Sequence, residues 1–181
     1  MNFIELARKR QSVRKYSSAP VEAEKINRCL EAARLAPSAC NAQPWNFIIV
    51  DEPGLREKVA RETFSTIAPF NKFVLEAPVI IAQVMERPTL LSQFGGRVKN
   101  KDFYLIDTGI AAEHLCLQAA EEGLGTCMIG WFNEKKIKTL LNIPAGRAIG
   151  LIITLGYPAG DTIREKKRKD MNQISKFNSY D

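Results

Sequence analysis

The chain has 181 residues, 45% hydrophobic and 25% charged, a composition that excludes disordered, collagenous and membrane-embedded classes. The formal net charge of +6 is terminal: residues 1–15 carry five basic side chains against one acidic, residues 161–181 six against four, and the stretch between balances at fifteen each. The longest charge-free run, Leu35 to Val50, spans 16 residues and is broken by Pro37, Asn41, Gln43 and Pro44, short of the roughly 20 apolar residues of a membrane span.

One domain, 1–181, is expected, because there is no repeat, low-complexity tract or linker, and this length buries roughly 70% of the surface of an unfolded chain without a disulfide or metal. Charge where a signal peptide would place its apolar segment predicts a cytoplasmic protein. Cys29, Cys40, Cys116 and Cys127 lie 11, 76 and 11 residues apart, without paired Cys-x-x-Cys spacing, and read as free thiols.

In chain order, the pattern predicts a helix over Phe3 to Lys9 and another over Glu22 to Ala36, where Ile26, Cys29, Leu30 and Ala33 recur at helical spacing and Pro37 stops the run. Asn46 to Val50 and Pro78 to Val84 have strand character, with a helix over Leu55 to Glu62 after Pro53-Gly54. Asp102 to Glu122 is a long helix, apolar nearly all round and therefore buried, closed by Gly123. A strand over Thr126 to Ile129, a helix over Glu134 to Leu141 capped by Asn133, and a strand over Ala148 to Gly156 precede Tyr157-Pro158 and the basic tail. Helices and strands interleave without a regular strand-helix-strand period, which favours an α+β fold.

Several chemistries are poorly supported. Gly123-Leu124-Gly125 follows a helix, and Met128 stands where a dinucleotide fingerprint needs its third glycine. The single histidine, His114, lies within the apolar helix without the clustered ligands of a zinc site or the nucleophile elbow of a triad. Two segments stand out. In Arg10-Gln11-Ser12-Val13-Arg14, alternate residues of an extended chain put Arg10, Ser12 and Arg14 on one side, a cradle for a phosphate monoester, although a solvated basic helix end has the same composition. In Pro37-Ser38-Ala39-Cys40-Asn41-Ala42-Gln43-Pro44-Trp45, two prolines stiffen a loop whose amides and hydroxyl either bind a heteroaromatic edge or satisfy their own backbone.

These two segments, with Gly123-Leu124-Gly125-Thr126-Cys127-Met128-Ile129-Gly130-Trp131-Phe132 and Leu155-Gly156-Tyr157-Pro158, occur in the order and at the spacing of the FMN-dependent nitroreductase family, which the sequence resembles over nearly its whole length. The resemblance implies a mixed sheet flanked by helices, with the long helix in a homodimer interface and a C-terminal extension wrapping the partner. It assigns Arg10, Gln11 and Ser12 to the phosphate and ribityl of FMN, and Arg14 to the N1/O2 edge. Pro37, Ser38, Ala39, Asn41 and Gln43 would reach the flavin of the partner subunit, and Met128, Ile129 and Gly130 would lie against the ring. Some members carry an acidic residue at the Gly130 position, so here only its backbone N–H is carried over, toward flavin N5. Lys166 and Arg168 match the final phosphate-binding pair, with Lys167 and Lys169 leaving the register open by one. The short interval between Val84 and Asp102 would leave the flavin face open, or covered mainly by Leu90 to Arg97.

The activity implied is ping-pong transfer of hydride from NADH or NADPH through flavin N5 to a nitroaromatic, quinone or similar acceptor. No essential protein acid or base is expected, because the cofactor carries the chemistry. The alternatives are a specialised relative such as a reductive dehalogenase, a non-enzymatic flavin-binding protein, or a nucleic-acid binder using the basic ends.

Overall fold

The computed structural model describes residues 1–86 and 101–180. Four strands, β1 (Trp45–Val50), β2 (Val79–Met85), β3 (Gly125–Ile129) and β4 (Ala148–Gly156), form one sheet in the order β1-β2-β4-β3. Every ladder in it is antiparallel. Among the described residues, the parallel component expected of a mixed sheet is confined to one bridge, Ser12 to Thr126, on the outer side of β3.

Alternation along the strands divides the core. Ile80, Ala82 and Val84 of β2 pack with Val50, Ile129 and Ile152 against one helical layer, formed by α3 (Pro53–Arg61), a 3-10 segment (Pro69–Glu76) and α5 (Glu134–Leu140). Val79 and Ile81 face the other way with Ile153 and Leu155, toward α2 (Ala23–Arg34) and α4 (Phe103–Glu121). Because both faces are covered, β2 and β4 read as apolar runs, interrupted by buried Gln83 and Thr154, instead of alternating ones. The remaining helices, α1 (Phe3–Lys9) and α6 (Met171–Ile174), bury no residue.

In α2, Ile26, Cys29 and Ala33 are the buried stripe, spaced as a helix face requires. Opposite them, α4 offers Leu115 and the small residues Ala112, Cys116 and Ala119, which let the two helices approach closely. A bidentate pair from Arg28 to Glu122 (2.5 and 2.8 Å) staples the helices at the end of α4. Gly123 then takes a positive φ of 77°, and Leu124 N–H returns to Ala119 O at 2.8 Å, the helix-ending turn anticipated from the glycine. The first half of α4 is less covered, with Leu105 49% and Ile106 55% exposed.

All four cysteines are free, and only Cys40 is exposed. Among the described residues, no helix is long and apolar enough to cross a membrane. The segment Leu90 to Arg97, expected over the flavin face, lies outside the described residues.

Candidate cofactor site

The basic N-terminal segment is pinned to the sheet edge. Asn2 and Glu5 form a capping box that starts α1, and the helix stops at Arg10, whose ψ of 121° turns the chain extended. Val13 N–H then donates to Thr126 O at 2.8 Å. Close docking needs the missing side chain of Gly125, since a Cβ there would stand 2.5 Å from Val13 Cγ2. Tyr16 finishes the segment: its hydroxyl donates to Val13 O (2.9 Å), contacts Thr154 Oγ1 (2.6 Å), and is held protonated by burial, which raises its pKa.

Val13 and Tyr16 point inward, while Arg14 is exposed, its guanidinium 5.9 Å from the centroid of the Phe73 ring. Gln11, Ser12 and Arg14 line a cleft of about 500 Å³ with Pro158, Gly160 and Arg164. Arg10 lines an adjoining cleft of about 290 Å³ between α1 and the end of α4, with Gln11 and Val13 shared by both. Val13 and Lys15 also line the larger cleft, so its lining does not separate alternate residues, and Arg10, which caps α1, lies apart from Ser12 and Arg14.

The tail is laid across this segment. Gln11 Nε2 donates to Thr162 O (2.9 Å), and Gln11 Oε1 accepts from Arg164 N (3.1 Å) and Nε (3.3 Å). Arg164 also donates to Ser12 O, and Lys166 Nζ to the carbonyls of Ala7 and Arg10. These are carbonyls at the C-terminal end of α1, where the helix dipole favours a cation. Arg168 is exposed and donates to Lys167 O at 2.8 Å.

Lys166 is seated on the Arg10 carbonyl, and Arg10 and Arg168 act on it as like charges. Burial lowers the Lys166 pKa, Arg10 and Arg168 push it the same way, and Glu113 opposes them. Arg10 Nε lies 3.1 Å from Glu113 Oε1, but its N–H is not aimed along that contact, and the atom is buried without a hydrogen-bond partner among the described residues.

The 37–44 loop sits elsewhere, on the first half of α4, and lines neither cleft. Ser38 Oγ accepts from Gln43 N–H (2.9 Å), and Gln43 Nε2 donates to Asn41 O and Oδ1 (3.1 and 3.2 Å). Within this chain those side chains satisfy their own loop. Ala39 N–H is held by Asp107 Oδ1 and Oδ2 at 3.2 Å each. Cys40, Asn41 and Gln43 all have positive φ, 53°, 52° and 46°, a strained run that persists only where surrounding contacts impose it.

Met128 and Ile129 are the last paired residues of β3, with Ile129 buried in the core, and Gly130 follows the strand; they too line neither cleft. Gly130 is exposed, and a Cβ on it would meet nothing within 4 Å, so its backbone is open to approach. The turn beyond is fixed by buried Asn71, whose Nδ2 donates to Trp131 O and Thr63 O at 3.1 Å each. Exposed Trp131 meets Phe70 edge-on, with ring centroids 6.3 Å apart.

Cys127 is buried in the sheet, and His114 lies on α4. Burial raises the Cys127 pKa, so the thiol stays protonated. His114 Nδ1 is engaged with Ile110 O at 2.9 Å within its own helix.

Arg164, Asp107, Asn71, Phe73 and Glu113 were not anticipated from sequence. Arg164 belongs to the basic tail and was legible only as charge. The others are brought in by tertiary contacts that no local spacing signals.

A profile of the nitroreductase family matches residues 7–157. A Methanothermobacter thermautotrophicus protein with the provisional name NADH dehydrogenase/NAD(P)H nitroreductase is 31% identical over 163 residues, covering 88% of this chain and 78% of that protein. The FMN-dependent nitroreductase of Clostridium difficile R20291 superposes with a TM-score of 0.76 at 29% identity, covering 98% of this chain and all of that one (100%). Iodotyrosine deiodinase 1 of Rattus norvegicus is 28% identical over 198 residues, covering 95% of this chain and 68% of that protein.

Proposed function

The chain belongs to the nitroreductase family of oxidoreductases, and from that premise we propose that it is an FMN-dependent cytoplasmic enzyme, with 1–181 as one flavin-binding unit. It oxidises NADH or NADPH and reduces a nitroaromatic, quinone or similar acceptor in ping-pong order, working as a homodimer. The observation that carries this reading is the Arg10, Lys166 and Arg168 cluster, with its buried Arg10 Nε–H lacking a hydrogen-bond partner among the described residues. A phosphate monoester would relieve the repulsion, and arginine and lysine suit it by charge and geometry.

Bound FMN supplies the redox chemistry at N5; the protein binds, orients and tunes. Arg10, Lys166 and Arg168 would hold the phosphate, and the Ser12 hydroxyl the ribityl chain. Gln11 has committed its amide to Thr162 and Arg164, so it would serve by holding the tail against the site. Arg14 would supply positive charge where reduction accumulates negative charge at the pyrimidine end. Met128, Ile129 and the open backbone N–H of Gly130 would flank the ring.

Pro37, Ser38, Ala39, Asn41 and Gln43 line neither cleft of their own chain, which supports a role at the site of a second copy. The half-exposed Leu105 and Ile106 on α4, and Met171, Ile174, Phe177 and Tyr180 in the tail, are apolar surfaces that such a copy would cover.

The test is an absorption spectrum of the purified protein before and after anaerobic NADH or NADPH, with the chromophore identified by mass. A flavin spectrum that bleaches, with FMN released on denaturation, is expected. A colourless protein that takes up no added FMN would sink the reading and return the basic termini to nucleic-acid binding. The likeness to the deiodinase favours a second reading with the same flavin site, reductive dehalogenation, distinguished by halide release from a halogenated phenol.

A further inference from the structure

We infer that Glu113 on α4 sets the charge of the phosphate cradle and weakens its hold on a dianion, as a standing competitor for Arg10. The inference rests on the FMN reading above. Glu113 Oε1 stands 3.1 Å from Arg10 Nε, yet the N–H is not directed at it. The contact is therefore one of charge with charge.

The Arg10 main chain is held independently of Glu113. Arg10 N–H donates to Leu6 O at 2.9 Å as the helix cap, and Arg10 O accepts from Lys166. Nothing in that arrangement needs a carboxylate. Glu113 also acts on Lys166, where it opposes the influence of Arg10 and Arg168. It is thus the negative member of a four-charge group whose positive members are Arg10, Lys166 and Arg168.

Three positive charges against one leave a formal +2 on these side chains, equal and opposite to a phosphate monoester dianion of about −2. Replacing Glu113 by a neutral side chain raises the cradle to +3 and removes a repulsion between Glu113 and the incoming phosphate. The side chain is 39% exposed, so water and salt screen the effect, and a gain of about fivefold in affinity at low salt is the expected size.

The experiment titrates flavin-free full-length protein with FMN and with riboflavin, following flavin fluorescence at low and high salt. Glu113→Gln is expected to bind FMN about fivefold more tightly than the parent at low salt, with the gain shrinking at high salt and riboflavin affinity unchanged. Glu113→Asp, which keeps the charge, is expected to bind FMN like the parent. FMN affinity that falls or stays the same in Glu113→Gln overturns the inference and leaves the flavin reading standing. So does an equal change for riboflavin, or a gain in Glu113→Asp as large as in Glu113→Gln, because packing would then be responsible. A parent protein that binds neither flavin overturns both.

Discussion

The backbone N–H of Ala39 rests between the two carboxylate oxygens of Asp107, 3.2 Å from each. This contact ties the loop after α2 to the first half of α4, and Asp107 is only 5% exposed. Replacing it by alanine leaves a half-buried N–H without its acceptor, which costs on the order of 1 kcal/mol. Urea unfolding of Asp107→Ala is therefore expected to show a lower midpoint at unchanged slope, with Asp107→Asn between it and the parent. An unshifted midpoint for Asp107→Ala would mean that the loop is held by other contacts.

Gly125 and Val13 form a second close pair. Gly125→Ala drives a methyl group into the Val13 side chain, a clash that costs about 1–3 kcal/mol and loosens the strip carrying Ser12 and Arg14. FMN release from this variant is expected to be faster than from the parent. Adding Val13→Ala makes room and is expected to restore most of the retention. If the double variant releases flavin as fast as Gly125→Ala alone, the strip is not positioned by this contact.

Arg14 is exposed beside Phe73, and its assigned task is electrostatic. Arg14→Ala is expected to lower the midpoint potential of the bound flavin and slow its reduction by NADH or NADPH, whereas Arg14→Lys keeps part of the effect. Spectroelectrochemical titration decides the matter, and an unchanged potential removes Arg14 from the flavin.

The Arg28 pair holds the Glu122 carboxyl at about 2, below its ordinary value. A depressed carboxylate pKa contributes stability that is present above the unfolded value, near 4.3, and lost as pH falls through the folded one. Glu122→Gln is thus expected to be less stable than the parent at neutral pH, with the gap closing between about pH 5 and pH 2. A difference in melting temperature that stays constant over that range would contradict the assignment.

Arg164 is the hinge pin of the tail, reaching both Gln11 and Ser12. Limited proteolysis of Arg164→Ala is expected to cut the 159–169 segment sooner than in the parent and to release FMN faster. Equal cleavage rates would show that Lys166 alone keeps the tail in place.

Local patterning revealed much of this architecture and little of its assembly. The stripe Ile26, Cys29 and Ala33, the apolar runs of β2 and β4, and Gly123 each act over a few residues, so spacing alone located their elements to within a residue or two. The 3-10 segment Pro69–Glu76 was missed because its tighter turn has no long amphipathic repeat. Strand order is set by connections that leave no local trace, and the antiparallel pairing of β4 with both β2 and β3 could not be read from either run.

The same division applies to the cofactor site. The residue types of Arg10, Ser12 and Arg14 were visible as a phosphate-binding pattern. The cap that separates Arg10 from the other two is local, its N–H bonded to Leu6 O, but the placement of Arg10 against Glu113 and the commitment of Gln11 to Arg164 depend on another helix and on a partner 153 residues away.

The bond between Gln11 and Arg164 joins residues 153 positions apart, and this separation bears on how the protein matures. At roughly 5–20 residues per second on the ribosome, the N-terminal cations emerge on the order of ten seconds before the segment that completes their cradle. Throughout that interval the nascent chain offers a partial anion site on an unfinished sheet. Flavin capture thus belongs after translation, and the free FMN available to released chains, more than the rate of synthesis, would govern how quickly active protein appears.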